Sequence, residues 1–282
     1  MYQFPIGVML ESFRCGEDEA LDNAVKVGAK GIQVYVTHGE HSYEVLVGER
    51  RAELLKKIKD RGLTISALCG DFGRGLYDPE ANVELIEKSK RVLDLAKELG
   101  TDVVTTHIGV VPADPNHPRY KIMQEACFEL SRYADEMNAH FAIETGPETS
   151  AVLKGFLDSL GSRGVAVNFD PANLIAIHHE PAVQAVHNLK DYIVHTHAKD
   201  AQWFWQCEPE VIYGIRKPED IPTSPAYAEV PLGQGEVGFP TYLKALEEVG
   251  YKGFLTIERE VGPTPYQDIE MAVGFLKDII SK

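Results

Sequence analysis

Short apolar runs alternate along the whole chain with longer stretches whose apolar positions recur every three to four residues. The runs are Pro5–Leu10, Gly31–Val36, Leu63–Leu68, Asp102–Ile108, Phe141–Ile143, Val165–Phe169, Tyr192–His197 and Gly253–Ile257. Short runs of this kind, bounded by turn signals, read as buried strands. Between them, Asp18–Lys26 sets Ala20, Leu21, Ala24 and Val25 on one helical face, and Glu49–Asp60 does the same with Leu54, Leu55 and Ile58. Further helices are predicted from Asn82, as the cap, to Leu99, and over Tyr120–Met137, Ser150–Leu160, Ala182–Asp191, Phe239–Glu248 and Tyr266–Ile280. Gly28, Gly62, Gly100, Gly161 and Gly250 each follow a helix, where glycine readily closes the last turn.

Strand and helix alternating eight times in 282 residues is the count of a (β/α)8 TIM barrel, a parallel α/β fold. A doubly wound sheet is the competitor, but its first βα turn would usually be Gly-rich, and ESFRCGEDE after Leu10 carries no GxGxxG. No linker-like segment interrupts the alternation, so residues 1–282 read as a single domain. One connection is too long for a bare barrel. Ala201–Gly238 leaves the seventh strand and holds Trp203, Trp205, Tyr213 and Arg216. Long loops are usually functional or disordered, and aromatic content argues against disorder. A substrate-covering role is favoured over a packing insertion, because the loop leaves the face where barrel sites sit.

Composition narrows the partners. Net charge is −15, with 28 Lys and Arg against 43 Asp and Glu, and no basic cluster is visible. That excludes nucleic acid as an expected partner, since phosphates call for a concentrated basic face. No apolar run approaches the roughly 20 residues of a membrane span, so no membrane is expected. The start MYQFPIGVML lacks the pattern of a signal peptide. Cys15, Cys69, Cys127 and Cys207 show no paired spacing, which predicts free thiols and a cytoplasmic protein. The oligomeric state stays open, a homo-oligomer included.

The chemistry collects at strand ends. The fifth to eighth predicted strands end in Glu144, Asp170, His197 and Glu258. Neighbouring barrel strands converge on one mouth at their carboxyl ends. Three carboxylates and an imidazole at close range require a compensating charge. One divalent cation supplies it. This donor set suits Mn2+ first, with Mg2+, Co2+ or Zn2+ as alternatives. His195 shares a face with His197 by the strand's period of two, and reads as an interior histidine or a support for the ligand. His107 closes the fourth strand, as either a substrate hydrogen-bonder or a structural histidine. Lys199 and Asp200 form either a rim ion pair or a polar clamp on substrate hydroxyls, and His178 and His179 read as loop surface.

The segments AIETGPE, NFDPANL, VHTHAKD, LGQGEVGFPTYLKAL and GFLTIERE resemble the motifs of the xylose-isomerase-like TIM-barrel family. That family includes sugar phosphate isomerases/epimerases, ketose 3-epimerases, inosose dehydratases and isomerases, and hydroxypyruvate isomerases. The resemblance implies a divalent-metal site on Glu144, Asp170, His197 and Glu258. It also implies proton transfer through a metal-bound enediolate, with Glu144 and Glu258 as the acid–base pair on opposite faces of the substrate. His107, Lys199, Asn173, Trp203 and Arg216 complete the expected substrate-binding set. The chain departs from ketose 3-epimerases at Asn173, where they carry histidine, at Trp203, where they tend to carry arginine, and at Ser150, where they tend to carry glutamate. The expected function is therefore a metal-dependent isomerase or epimerase of a small carbohydrate or polyol ketone. The alternatives are a lyase acting on an inosose or 3-keto sugar, and a non-catalytic sugar-binding subunit. Endonuclease IV resembles the same fold, but its multi-zinc site needs more strand-end histidines.

Overall fold

The apolar runs form strands that are buried almost throughout. They are β1 (Ile6–Met9), β2 (Gly31–Tyr35), β3 (Thr64–Cys69), β4 (Val103–Thr106), β5 (His140–Glu144), β6 (Val165–Phe169) and β7 (Ile193–Ala198). A hairpin of β8 (Asp200–Trp203) and β9 (Tyr227–Val230) precedes β10 (Leu255–Ile257). The computed structural model describes residues 2–217, 222 and 224–282. In it, parallel strands close into a barrel in the order β1, β10, β7, β6, β5, β4, β3, β2. This is the expected TIM barrel.

The larger helices ring the barrel: α1 (Glu17–Val27), α2 (Gly48–Asp60), α3 (Pro79–Leu99), α4 (Pro118–Glu136) and α5 (Ser150–Leu160). α6 (Pro171–His178), α7 (Ala182–Leu189), α8 (Pro209–Ile212), α9 (Phe239–Glu248) and α10 (Pro265–Ile280) follow. Leu21, Leu54, Leu93, Leu157 and Tyr242 are among the side chains fully buried between helices and barrel. α3 starts earlier than expected. Asp78, not Asn82, caps it, accepting from the N–H groups of Glu80 and Ala81 at 3.0 and 3.4 Å. Asn82 lies inside the helix and donates to the Leu76 carbonyl at 3.1 Å.

Two elements differ from the sequence expectation in ways that matter for the site. Pro171 does not merely end a strand. It opens α6 at the first helical position, where its missing N–H costs nothing. The long connection is also built rather than bare, because Asp200–Trp203 pairs antiparallel with Tyr227–Val230. Residues 218–221 and 223 of the expected 201–238 loop lie outside the described residues.

Candidate metal centre

β5, β6, β7 and β10 are adjacent in the barrel, and each ends at one member of the expected ligand set. Glu144, Asp170, His197 and Glu258 are 6%, 0%, 1% and 7% exposed. One ligand atom from each lies within 4.8 Å of all the others. The His197 Nδ1 stands 3.3 Å from Glu258 Oε2, 3.5 Å from Asp170 Oδ2 and 3.6 Å from Glu144 Oε2. Ligand atoms around a divalent cation at about 2.0–2.2 Å sit about 3 Å apart, so the cluster has nearly the right spread. Two of its atoms, Asp170 Oδ2 and His197 Nδ1, are buried without a hydrogen-bond partner. Buried orphans of this kind are costly unless something completes them. The residues therefore fit a divalent cation.

Neighbouring side chains fix the orientation of each member. Gln33 donates through Nε2 to Thr105 Oγ1 at 2.9 Å, which turns its Oε1 toward His197 Nε2 at 3.1 Å. His197 then carries its proton on Nε2 and presents the Nδ1 lone pair to the cluster. Asn168 donates to Glu144 Oε2 at 3.0 Å, and its Oδ1 lies 2.9 Å from His195 Nδ1. His195 Nε2 meets Thr256 Oγ1 at 3.0 Å. His195 thus makes a complete set of interior bonds beside the site. Asp170 divides its two oxygens. Oδ1 caps α6 through the Asn173 N–H at 3.0 Å, and Oδ2 faces the cluster. Asn173 also donates from Nδ2 to Glu144 Oε1 at 2.9 Å. That approach needs Gly146, whose φ is +133° and where an added Cβ would lie 2.4 Å from Asn173 Cβ.

The electrostatics are lopsided. Lys199 Nζ donates to Glu258 Oε2 at 2.9 Å and also to Glu260. Burial opposes ionisation of Glu258, but the Lys199 ammonium and His197 overcome it and hold the carboxyl well below its ordinary range. Glu144 has no lysine against it; two amides, from Asn168 and Asn173, hold it, and His107 Nε2 stands 3.7 Å away. Without an ion, burial disfavours charge on His197, but Glu258, Glu144 and Asp170 outweigh it and raise its pKa well above the ordinary value.

Other expected site residues spread out. His107 lies just beyond β4, with Nδ1 3.0 Å from Asp71 Oδ2 and Nε2 3.7 Å from Glu144 Oε1. Burial opposes its protonation, yet Glu144 and Asp71 push its pKa up to about 9. Trp203 stacks on His179 with ring centroids 4.6 Å apart and planes at 4°. Arg216 is exposed and pairs with Glu208. The structure does not bring Trp203 or Arg216 into the ligand cluster. His178 is the last residue of α6 and the exposed His179 caps its carboxyl end, and Ser150 bonds to Glu180. Asp200 neither clamps nor pairs with Lys199. It accepts the N–H groups of Gly233, Gly235, Val237 and Ala201 at 2.9–3.2 Å, fastening the connection to the barrel. Gln33, Asn168, Asp71 and Gly146 were not singled out in the sequence. For Asn168 a signal existed, since it lies two residues before Asp170 on the same strand face.

Similarity to known proteins bears on the fold and the family. No curated protein matches the chain significantly in sequence. A xylose isomerase domain protein from Planctomyces limnophilus has a similar structure, with 25% identity, a TM-score of 0.80, and 99% of this chain and 97% of the other covered. The probable 3-DHS dehydratase of petrobactin synthesis from Bacillus anthracis is similar at 17% identity and a TM-score of 0.75, covering 97% and 99%. The 3-keto-D-glucoside 4-epimerase from E. coli is similar at 16% and 0.70, covering 99% and 100%. These likenesses concern the fold. The family model described as the xylose isomerase-like TIM barrel matches residues 21–279, so the chain belongs to that family.

Proposed function

We propose that the protein is a divalent-metal-dependent isomerase or epimerase of a small carbohydrate or polyol ketone. The observation that carries this reading is the placement of two buried carboxylates, Glu144 and Glu258, at the ends of an arc whose middle members are Asp170 and His197. Glu144, Asp170, His197 and Glu258 would hold the ion. When bound, a divalent cation supplies Lewis-acid stabilisation of negative charge on substrate oxygens.

The chain's own residues supply the rest. A proton next to a ketone needs a base within reach and an acid to return it. Glu258, a carboxylate with Lys199 Nζ at 2.9 Å, is placed to accept a proton, which the ammonium can then help to pass on. Glu144, held by the Asn168 and Asn173 amides with His107 at 3.7 Å, is suited to exchange one from the other side. Asn173 and Lys199 can also donate to substrate hydroxyls at the rim. Burial of the cluster excludes bulk water. Isomerisation and epimerisation share the first proton transfer and differ in where the proton returns. Elimination of water from an inosose or 3-keto sugar begins the same way, and the likeness to a dehydratase keeps that second reading.

The test is proton exchange in D2O across a panel of keto sugars, with protein stripped of metal and then reloaded with Mn2+. The reading expects deuterium beside the carbonyl of at least one sugar with loaded protein, and none above background with stripped protein. Exchange that ignores the metal would refute it.

A further inference from the structure

A cavity adjoins this centre and is not explained by proton transfer. It measures about 670 Å3 and opens beside the cluster, lined in part by Asn173 and Lys199. These two side chains bond directly to Glu144 and Glu258. The rest of its wall is largely apolar, with Trp205, Ile212, Tyr227 and Val261 from the β8–β9 connection and the segment after β10. Tyr227 and Val261 are 37% and 46% exposed, so their apolar surface stands open to the cavity rather than closed into the core. The volume lies in the upper half of the roughly 300–1,000 Å3 range of sites that enclose drug-sized ligands.

The wall is held ready rather than loosely draped. Asp200 binds four backbone N–H groups, and the Trp203 N–H donates to Glu236 Oε1 at 2.8 Å. The stack of Trp203 on His179 ties the hairpin to α6. Charge decides what the cavity accepts. Among the described residues lining it, Lys199 is the one cation, and it is already committed to Glu258 and Glu260. Glu229 and Glu260 also line it. A phosphate or carboxylate would find acidic neighbours and, among the described lining residues, no uncommitted cation.

We propose that this cavity binds an uncharged ring with an apolar face, attached to the polyol that reaches the metal centre. The ligand is therefore glycoside-like, rather than a free or phosphorylated sugar. This rests on the proposed function only for the identity of the polyol end. Aromatic and aliphatic walls remove the apolar face of such a ring from water, and Tyr and Trp rings stack on it.

Binding to the Mn2+-loaded protein is measured by isothermal titration and saturation-transfer NMR, with phenyl β-D-glucoside, cellobiose, glucose and glucose 6-phosphate as probes. At least one of the two glycosides is expected to bind about tenfold more tightly than glucose and glucose 6-phosphate, a difference of about 1.4 kcal/mol. Preference for the phenyl compound identifies an aromatic ring, and preference for cellobiose a second sugar. Ala228→Trp, which fills the cavity, and Trp205→Ala, which removes a wall, are each expected to cut the preference to about threefold or less with metal content unchanged. Binding of glucose 6-phosphate as tight as the glycosides, no glycoside binding, or a preference intact in both variants overturns the inference. The assay reads binding and not turnover. Failure of deuterium exchange with the glycoside preference intact refutes the proposed reaction alone. Exchange on free ketoses without that preference refutes this inference alone.

Discussion

Glu144 and Glu258 end equivalent strands of one barrel yet answer to different neighbours. One is held by amides and the other by an ammonium. Asp170 and His197 lie between them, each with one buried atom left without a partner. His195 beside them differs, because both of its ring nitrogens are paired. Replacing Asp170 or His197 by alanine is expected to abolish the rise in melting temperature that Mn2+ gives the wild type. At free ion about 100 times Kd that rise corresponds to about 2.7 kcal/mol. Asp170→Ala additionally loses the α6 cap, about 1 kcal/mol, with or without the ion. Calorimetry with and without Mn2+ separates the two effects, and a full metal-dependent rise in both variants would remove these residues from the site. The four clustered positions, Glu144, Asp170, His197 and Glu258, were legible in the sequence because each lies at or beside the end of an apolar run. The residues that orient them were not. Gln33 reaches His197 across 164 positions, and no periodicity announces such a bond.

At the scale of elements, the alternation of strands and helices was readable because parallel strands are apolar on both faces and helices carry one apolar stripe. α6 escaped that logic. Leu174, Ile175, Ala176 and Ile177 are all buried, so the helix has no polar face to set its period. The β8–β9 hairpin escaped it because its pairing joins Asp200 to Val230, far apart in sequence. Asp200 is the fastening point. Asp200→Ala leaves four N–H groups without their acceptor and is expected to destabilise the connection by about 1–3 kcal/mol per fully buried loss. Hydrogen exchange at Gly233, Gly235 and Val237 should quicken while exchange in β4 and β5 holds. Unchanged exchange at those three amides would make the bonds incidental.

A second polar device joins α1 to α2. Glu17 accepts from His41 Nε2 at 2.7 Å, from Lys57 at 2.8 Å and from Arg50. Burial alone would raise its pKa, but bonds from Arg50, Lys57 and His41 hold it down at about 2. A carboxyl depressed in the folded state stabilises the fold above its ordinary value, and that contribution is lost as pH falls from about 4.5 through about 2. Glu17→Gln is expected to cost about 1–2 kcal/mol at neutral pH. It should also flatten the fall of melting temperature across that acid window. An equally steep fall in the variant would show that other carboxylates carry it.

For the molecule as a whole, closure of the barrel brings residues distant in sequence to one mouth and leaves the β8–β9 connection to wall it. Trp203, expected to contact substrate, stacks on His179 and anchors the hairpin, while Trp205 lines the cavity. Which aromatic of a long loop faces a site depends on strand register, and register is set by pairing rather than by composition. No helix among the described residues is long and apolar enough to cross a membrane. The net charge of −15 is consistent with a neutral ligand, since acidic surroundings offer anions little.

On the proposed function, Glu144 and Glu258 serve one substrate from opposite sides of a metal ion. The most direct measurement is deuterium uptake from D2O by Glu144→Gln and Glu258→Gln, each loaded with Mn2+ and started separately from either epimer of the active sugar. Both variants should lose about 10²–10⁴-fold in kcat for inversion, the usual contribution of a general base. If the reaction is an epimerisation, each should still exchange the proton from one epimer only, and from opposite epimers. Wild-type inversion in both metal-loaded variants, or exchange from the same epimer in both, would contradict the account.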